Sequence, residues 1–130
     1  MRDVEHARMM VGLAEEEMQA LRAMGDPTVF SPRLFGFHAQ QVVEKVSKAW
    51  LALLGVNYPL THNLRVLFDL IEDEVGSSVQ PFRGLESLTP FAVQFRYGAY
   101  DGPSDEIDRL ETISRLSNLL EFIGGLLAQD

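Results

Sequence analysis

The chain has 130 residues and a net charge of −8, with 46% apolar and 23% charged side chains and no cysteine. That size suits one domain, 1–130, whose core needs no covalent staples, and the composition is globular rather than disordered. The missing cysteines exclude disulfides, thiolate zinc sites, iron–sulfur clusters and cysteine nucleophiles, and the acidic balance argues against general DNA coating.

The opening residues, Met1-Arg2-Asp3-Val4-Glu5-His6, are charged and carry no apolar signal core. No apolar run is long enough to cross a membrane. A soluble, cytoplasmic protein is expected.

A first helix follows from Val4, Ala7, Val11, Ala14, Met18 and Leu21, whose alternating spacings of three and four share one stripe. Gly25-Asp26-Pro27 ends it. Ser31-Pro32 starts a second helix, a serine cap followed by proline at the first helical position, and Gly55 closes it. At about 1.5 Å per residue this helix is roughly 35 Å long. Phe35, Ala39, Val42, Val46, Ala49 and Leu53 form its stripe, while Phe37 and Leu51 project from the far side. Such a helix is either central or shared with a partner.

Thr61 is expected to cap a shorter third helix carrying Leu64, Leu67, Phe68 and Ile71, with Gly76 past its end. A fourth helix is expected from near Pro81 or Leu85, with Leu88, Phe91, Ala92 and Phe95 inward. Pro90 fits only in a first turn. Ser104 is expected to cap a fifth helix with the stripe Ile107, Leu110, Ile113, Leu116, Leu120, Ile123 and Leu127. No stretch alternates with period two. The expected fold is all-α, an antiparallel up-and-down bundle of four long helices plus one shorter helix.

His6, His38 and His62 lie on three segments without an E-x-x-H partner, so no metal is expected, and no other cofactor either. Glycine-rich phosphate loops and a Gly-x-Ser-x-Gly elbow are also absent. Two patches remain. His38, Gln41, Lys45 and Lys48 form a polar ribbon on the second helix, suited to phosphate or carboxylate and equally to a solvated face. Phe95-Arg96-Tyr97-Gly98-Ala99-Tyr100-Asp101 offers a guanidinium fork beside two tyrosines, and equally a helix terminus.

Phe37-His38-Ala39-Gln40-Gln41, Glu44-Lys45, Lys48-Ala49, Thr61-His62-Asn63-Leu64 and Phe95-Arg96-Tyr97 together resemble the HEPN domain (higher eukaryote and prokaryote nucleotide-binding). The resemblance runs over nearly the whole chain. It implies an all-α bundle, often homodimeric, that binds a nucleotide or RNA and in many cases pairs with a small nucleotidyltransferase as a toxin–antitoxin module. On this reading Arg96 and Lys45 meet phosphate, Gln41 and His38 supply hydrogen bonds, and Tyr97 supplies a stacking surface. Tyr97 or Tyr100 is then the position a partner transferase would modify.

Other relatives are metal-independent endoribonucleases, in which an arginine and a histidine four to six residues later act on the ribose 2′-hydroxyl. Arg96 matches that arginine, but Asp101, Gly102 and Pro103 stand where the histidine would fall. Asp101 is a poorer agent, since an ionised carboxylate serves as a base but not as an acid. Whether His62 approaches in space is not legible in the sequence. A third reading is a purely structural dimer with Phe37, Trp50 and Leu51 near its interface.

Overall fold

The computed structural model describes residues 2–96 and 107–129, and of 93–96 the backbone alone. The described residues are helical throughout their regular structure: α1 Val4–Ala23, α2 Pro32–Leu54, α3 Leu64–Val75, α4 Thr89–Arg96 and α5 Arg109–Ala128. A 3₁₀ segment, Gly76–Leu88, joins α3 to α4.

α1 and α2 are antiparallel. Asp3 donates its backbone N–H to the Ala52 carbonyl at 2.9 Å, and near the other end Glu17 meets His38 at 2.6 Å. Ala7, Val11, Ala14, Met18 and Leu21 are buried, as their spacing predicts. α2 begins where expected, with the Ser31 hydroxyl accepting the Leu34 N–H at 3.1 Å, and ends at Gly55 in the left-handed region at φ 73°.

α2 is the central helix. From Ala39 to Leu53 every residue except Gln41 and Lys45 is buried. Trp50 and Leu51 are 1% and 0% exposed within the protomer, which removes both from any dimer surface. Trp50 packs instead on Phe82 and Phe122, with ring centroids 6.1 and 5.0 Å away. Burying side chains of this size stabilises the fold by about 1.5–3 kcal/mol each.

α5 runs in the same direction as α2. At its start Arg109 lies over the Phe35 ring at 5.1 Å, and one end later Phe122 reaches Trp50. Arg109 also donates to the carbonyls of Met24 and Phe30 at 2.8 and 2.6 Å, tying α5 to the α1–α2 connection. The described helix is capped by Asp108, whose carboxylate accepts the Glu111 N–H at 3.0 Å; Ser104 lies outside the described residues. Its buried line is Leu116, Leu119, Ile123 and Leu127. Leu110 is 83% exposed although Ile107 and Ile113 of the same expected stripe pack against the core, and Leu119 takes an inward place that the stripe omitted.

Two further boundaries differ from expectation. Asn63 caps α3, accepting the Arg65 N–H at 3.0 Å, while Thr61 accepts the Asn63 N–H one step earlier. The fourth helix does not begin near Pro81 or Leu85. Pro81 lacks a donor, and Gly76 and Gly84 favour no regular helix, so the chain takes tight 3₁₀ turns there. Arg83 fastens those turns, reaching Asp69 and Glu86 at 2.6 Å and Glu72 at 3.2 Å. α4 then starts at Thr89 with Pro90 in its first turn. Its described part is Thr89–Arg96. Among the described residues the long helices are α1, α2 and α5, and α3 is shorter.

Candidate functional site

The ribbon on α2 is held by two carboxylates. Glu17 of α1 bridges His38 Nδ1 at 2.6 Å and Lys45 Nζ at 3.3 Å, and all three side chains are 20–25% exposed. One turn further along, Glu44 accepts from Gln40 Nε2 at 3.0 Å, Lys48 Nζ at 3.0 Å and His62 Nδ1 at 2.8 Å. Gln41 donates to Gln40 Oε1 at 2.7 Å, so the two groups are connected.

Glu44 is only 7% exposed at its side chain and Lys48 11%, whereas His62 is 48% exposed. Burial pushes the Glu44 carboxyl up, but the donors Gln40, His62 and Lys48, with the Lys48 charge, outweigh it and hold the group below its ordinary value. It is a carboxylate at neutral pH. Gln40 also donates to the His62 carbonyl at 3.0 Å, so both the ring and the backbone of His62 are pinned to α2.

The segment between α2 and α3 therefore folds back along the polar side of α2. Tyr58 on the same segment accepts or donates at His6 Nε2 over 2.7 Å, and Lys48 Nζ lies 5.6 Å from its ring centre. Burial, then the charges of Asp3 and Glu44, raise the Tyr58 hydroxyl above its usual value. A cleft of about 490 Å³, lined in part by Asp3, His6, Asn57 and Tyr58, opens beside it.

α4 packs on α2 toward its N-terminal half. The Leu64 N–H donates to Thr89 Oγ1 at 3.1 Å, and Phe91 lies flat against Gly36 of α2. Arg96 is the last described backbone position of α4; its side chain, with Tyr97, Tyr100 and Asp101, lies outside the described residues. Of the expected site residues, the fold brings His38, Gln41 and Lys45 onto one strip. Lys48, the fourth residue of the ribbon, turns inward to Glu44.

Two members of the site were not picked out from the sequence. Glu17 was assigned to the wet face of α1, and its partners stand 21 and 28 residues away. Glu44 had a local signal, since Gln40, Glu44 and Lys48 recur at intervals of four along one helix line. His62 does approach the ribbon, through Glu44. Among the described residues, no three His, Cys, Asp or Glu side chains gather as a metal site. Nor is any described helix long and apolar enough to cross a membrane.

Among the described residues the regular structure is all helical, with a charged, hydrogen-bonded polar line on the central helix. The sequence model of the HEPN domain matches residues 31–126, from the cap of α2 into the last turn of α5. The chain belongs to the HEPN family, and its function is nucleotide- or RNA-related in that general sense. No individual curated protein and no solved structure matches it.

Proposed function

We propose that this HEPN chain is a module that binds the phosphates of a nucleotide or of RNA along the outer line of α2. The observation that carries the reading is the gap in α2: between Ala39 and Leu53, Gln41 and Lys45 alone reach the surface, and His38 lies beside them. An amide, an ammonium and an imidazole converge there, the donor set that phosphate oxygens require. Glu17 holds Lys45 and His38 in place until a ligand displaces it. Arg96 adds the second cation and Tyr97 a stacking face.

The partner reading rests on the family alone. A small nucleotidyltransferase forms a toxin–antitoxin pair with the chain and modifies Tyr97 or Tyr100, and the chain itself acts as a cytoplasmic homodimer. Phe37 is the one member of the expected interface that stays partly exposed on α2.

The test is binding of ATP and of a single-stranded RNA 20-mer, followed by fluorescence polarisation at two salt concentrations. Lys45→Ala should weaken binding about tenfold or more, the effect of losing one charge-assisted hydrogen bond, and Arg96→Ala should do likewise. Unchanged affinity in both variants would refute the site. Native mass spectrometry of protein purified from its host tests the partner: a transferase-sized companion or an adduct on the peptide holding Tyr97 and Tyr100 supports it, and a bare homodimer refutes it.

A further inference from the structure

The cleft of about 490 Å³ beside Tyr58 lies apart from the phosphate strip. Asp3 and His6 at the start of α1 line it, with Ala52 in the last turn of α2 and Val56, Asn57 and Tyr58 of the connection that follows. His38, Gln41 and Lys45 are not among its walls. We infer that this cleft binds a small organic amine in its ammonium form, held by the Asp3 carboxylate and the Asn57 side-chain oxygen, with its carbon skeleton on Val56 and the Tyr58 ring.

Electrostatics select a cation. Asp3 caps α1 with one oxygen, Oδ1, which accepts the His6 N–H at 3.0 Å, and its second oxygen has no partner among the described residues. The carbonyl end of α2 also faces the cleft at Ala52 and brings partial negative charge. Two cations stand near, and both are engaged elsewhere. Arg2 turns to the Leu53 carbonyl at 2.8 Å, and Lys48, 5.6 Å from the Tyr58 ring centre, is met by Glu44 at 3.0 Å. The Tyr58 hydroxyl registers the resulting field: after burial, the charges of Asp3 and Glu44 raise it above its usual value.

The donors and acceptors match as well. An alkylammonium offers three N–H groups and no acceptor. The second Asp3 oxygen takes one, and the Asn57 side-chain oxygen, also without a partner among the described residues, takes another. The Tyr58 oxygen, fixed 2.7 Å from His6 Nε2, supplies the third acceptor. Val56 and the Tyr58 ring give the remainder of the wall an apolar character suited to a short carbon chain or a ring. A cleft of this volume is in the usual range for small-molecule sites. Helix capping and fastening of the connection account for Asp3 Oδ1 and for the His6–Tyr58 pair, but not for the second Asp3 oxygen or for Asn57.

The experiment is isothermal titration calorimetry of the full chain at neutral pH with phenethylamine, 2-phenylethanol and phenylacetate. These probes share a body and differ in charge. The amine should bind with a Kd of about 1 mM or tighter, the alcohol at least about tenfold more weakly, and the acid not at all. Asp3→Asn should weaken the amine about tenfold, because asparagine keeps the cap and removes the charge. Asn57→Ala should weaken it about threefold. The control is Glu16→Gln, an exposed position about 20 Å along α1 from Asp3. It removes the same unit of charge and should leave the affinity unchanged. Circular dichroism checks that each variant is folded, and Asn57→Ala, at an exposed position, carries the test if Asp3→Asn is not. Absence of amine binding, equal binding of all three probes, or an amine affinity indifferent to both cleft variants overturns the site. An equal loss in Glu16→Gln and Asp3→Asn also overturns it, since general attraction to a chain of net charge −8 would then suffice.

Discussion

Glu44 of α2 and His62 of the α2–α3 connection stand 18 residues apart in the chain and meet at 2.8 Å. The contact folds the connection back onto the central helix, and the same carboxylate holds Gln40 and Lys48. One buried charge thus organises three donors from two elements. Its removal affects all of them at once.

Glu44→Ala should therefore destabilise the fold by about 2–4 kcal/mol, since it leaves Lys48 and Gln40 buried without their acceptor. Replacing Glu44 and Lys48 together by Leu and Met should cost much less, because no uncompensated charge remains. Urea denaturation followed by the fluorescence of Trp50, the chain's one tryptophan, measures both.

Acid should weaken the same contact. Burial raises the Glu44 carboxyl, yet its three donors and the Lys48 charge win and hold it below the ordinary 4.5. A carboxyl depressed on folding contributes stability that is fully present above its unfolded value and is lost as pH falls through the folded one. Stability should thus decline below about pH 4.5. In Glu44→Gln that decline should be shallower. Asp26, lowered by its hydrogen bonds from Thr28, contributes in the same direction and is untouched by the variant. Denaturation midpoints between pH 3 and 7 check the slope.

Gly36 is where α4 seats on α2. A Cβ there would stand 2.3 Å from Phe91 Cδ1 and 2.5 Å from Cγ, so the ring as a whole must move. Gly36→Ala should cost about 1–3 kcal/mol as overpacking, and adding Phe91→Leu should recover part of it. Because α4 carries Arg96, the single variant should also weaken RNA binding. Thermal melts and polarisation assays on the two variants separate the effects.

Glu17 competes with any phosphate for Lys45 and His38. Glu17→Gln should tighten ATP or RNA binding by about three- to tenfold, an advantage that shrinks as salt rises. Weaker or unchanged binding would mean that phosphate does not lodge on this strip. A salt titration of the wild type and the variant decides it.

The fall of apolar residues along the chain determined much of the fold. The inward line of α1, the serine–proline start and glycine end of α2, and the buried quartet of α3 all follow from local spacing and capping. These are short-range effects, visible wherever residues three or four apart share a face. The family was legible for a similar reason, since its marks are short blocks such as Gln40-Gln41, Glu44-Lys45 and Thr61-His62.

Tertiary structure decided the rest. Leu110 lies on the expected stripe of α5 and Leu119 on the opposite side, yet the packing of α5 exposes the first and buries the second. Trp50 and Leu51 looked available to a partner until α5 and the 3₁₀ segment closed over α2. The electrostatic pairing of the site was hidden for the same reason. Glu17 finds His38 and Lys45, and Glu44 finds His62, across separations that no helical period encodes; they meet because packing the apolar faces of α1, α2 and α3 carries their polar neighbours together.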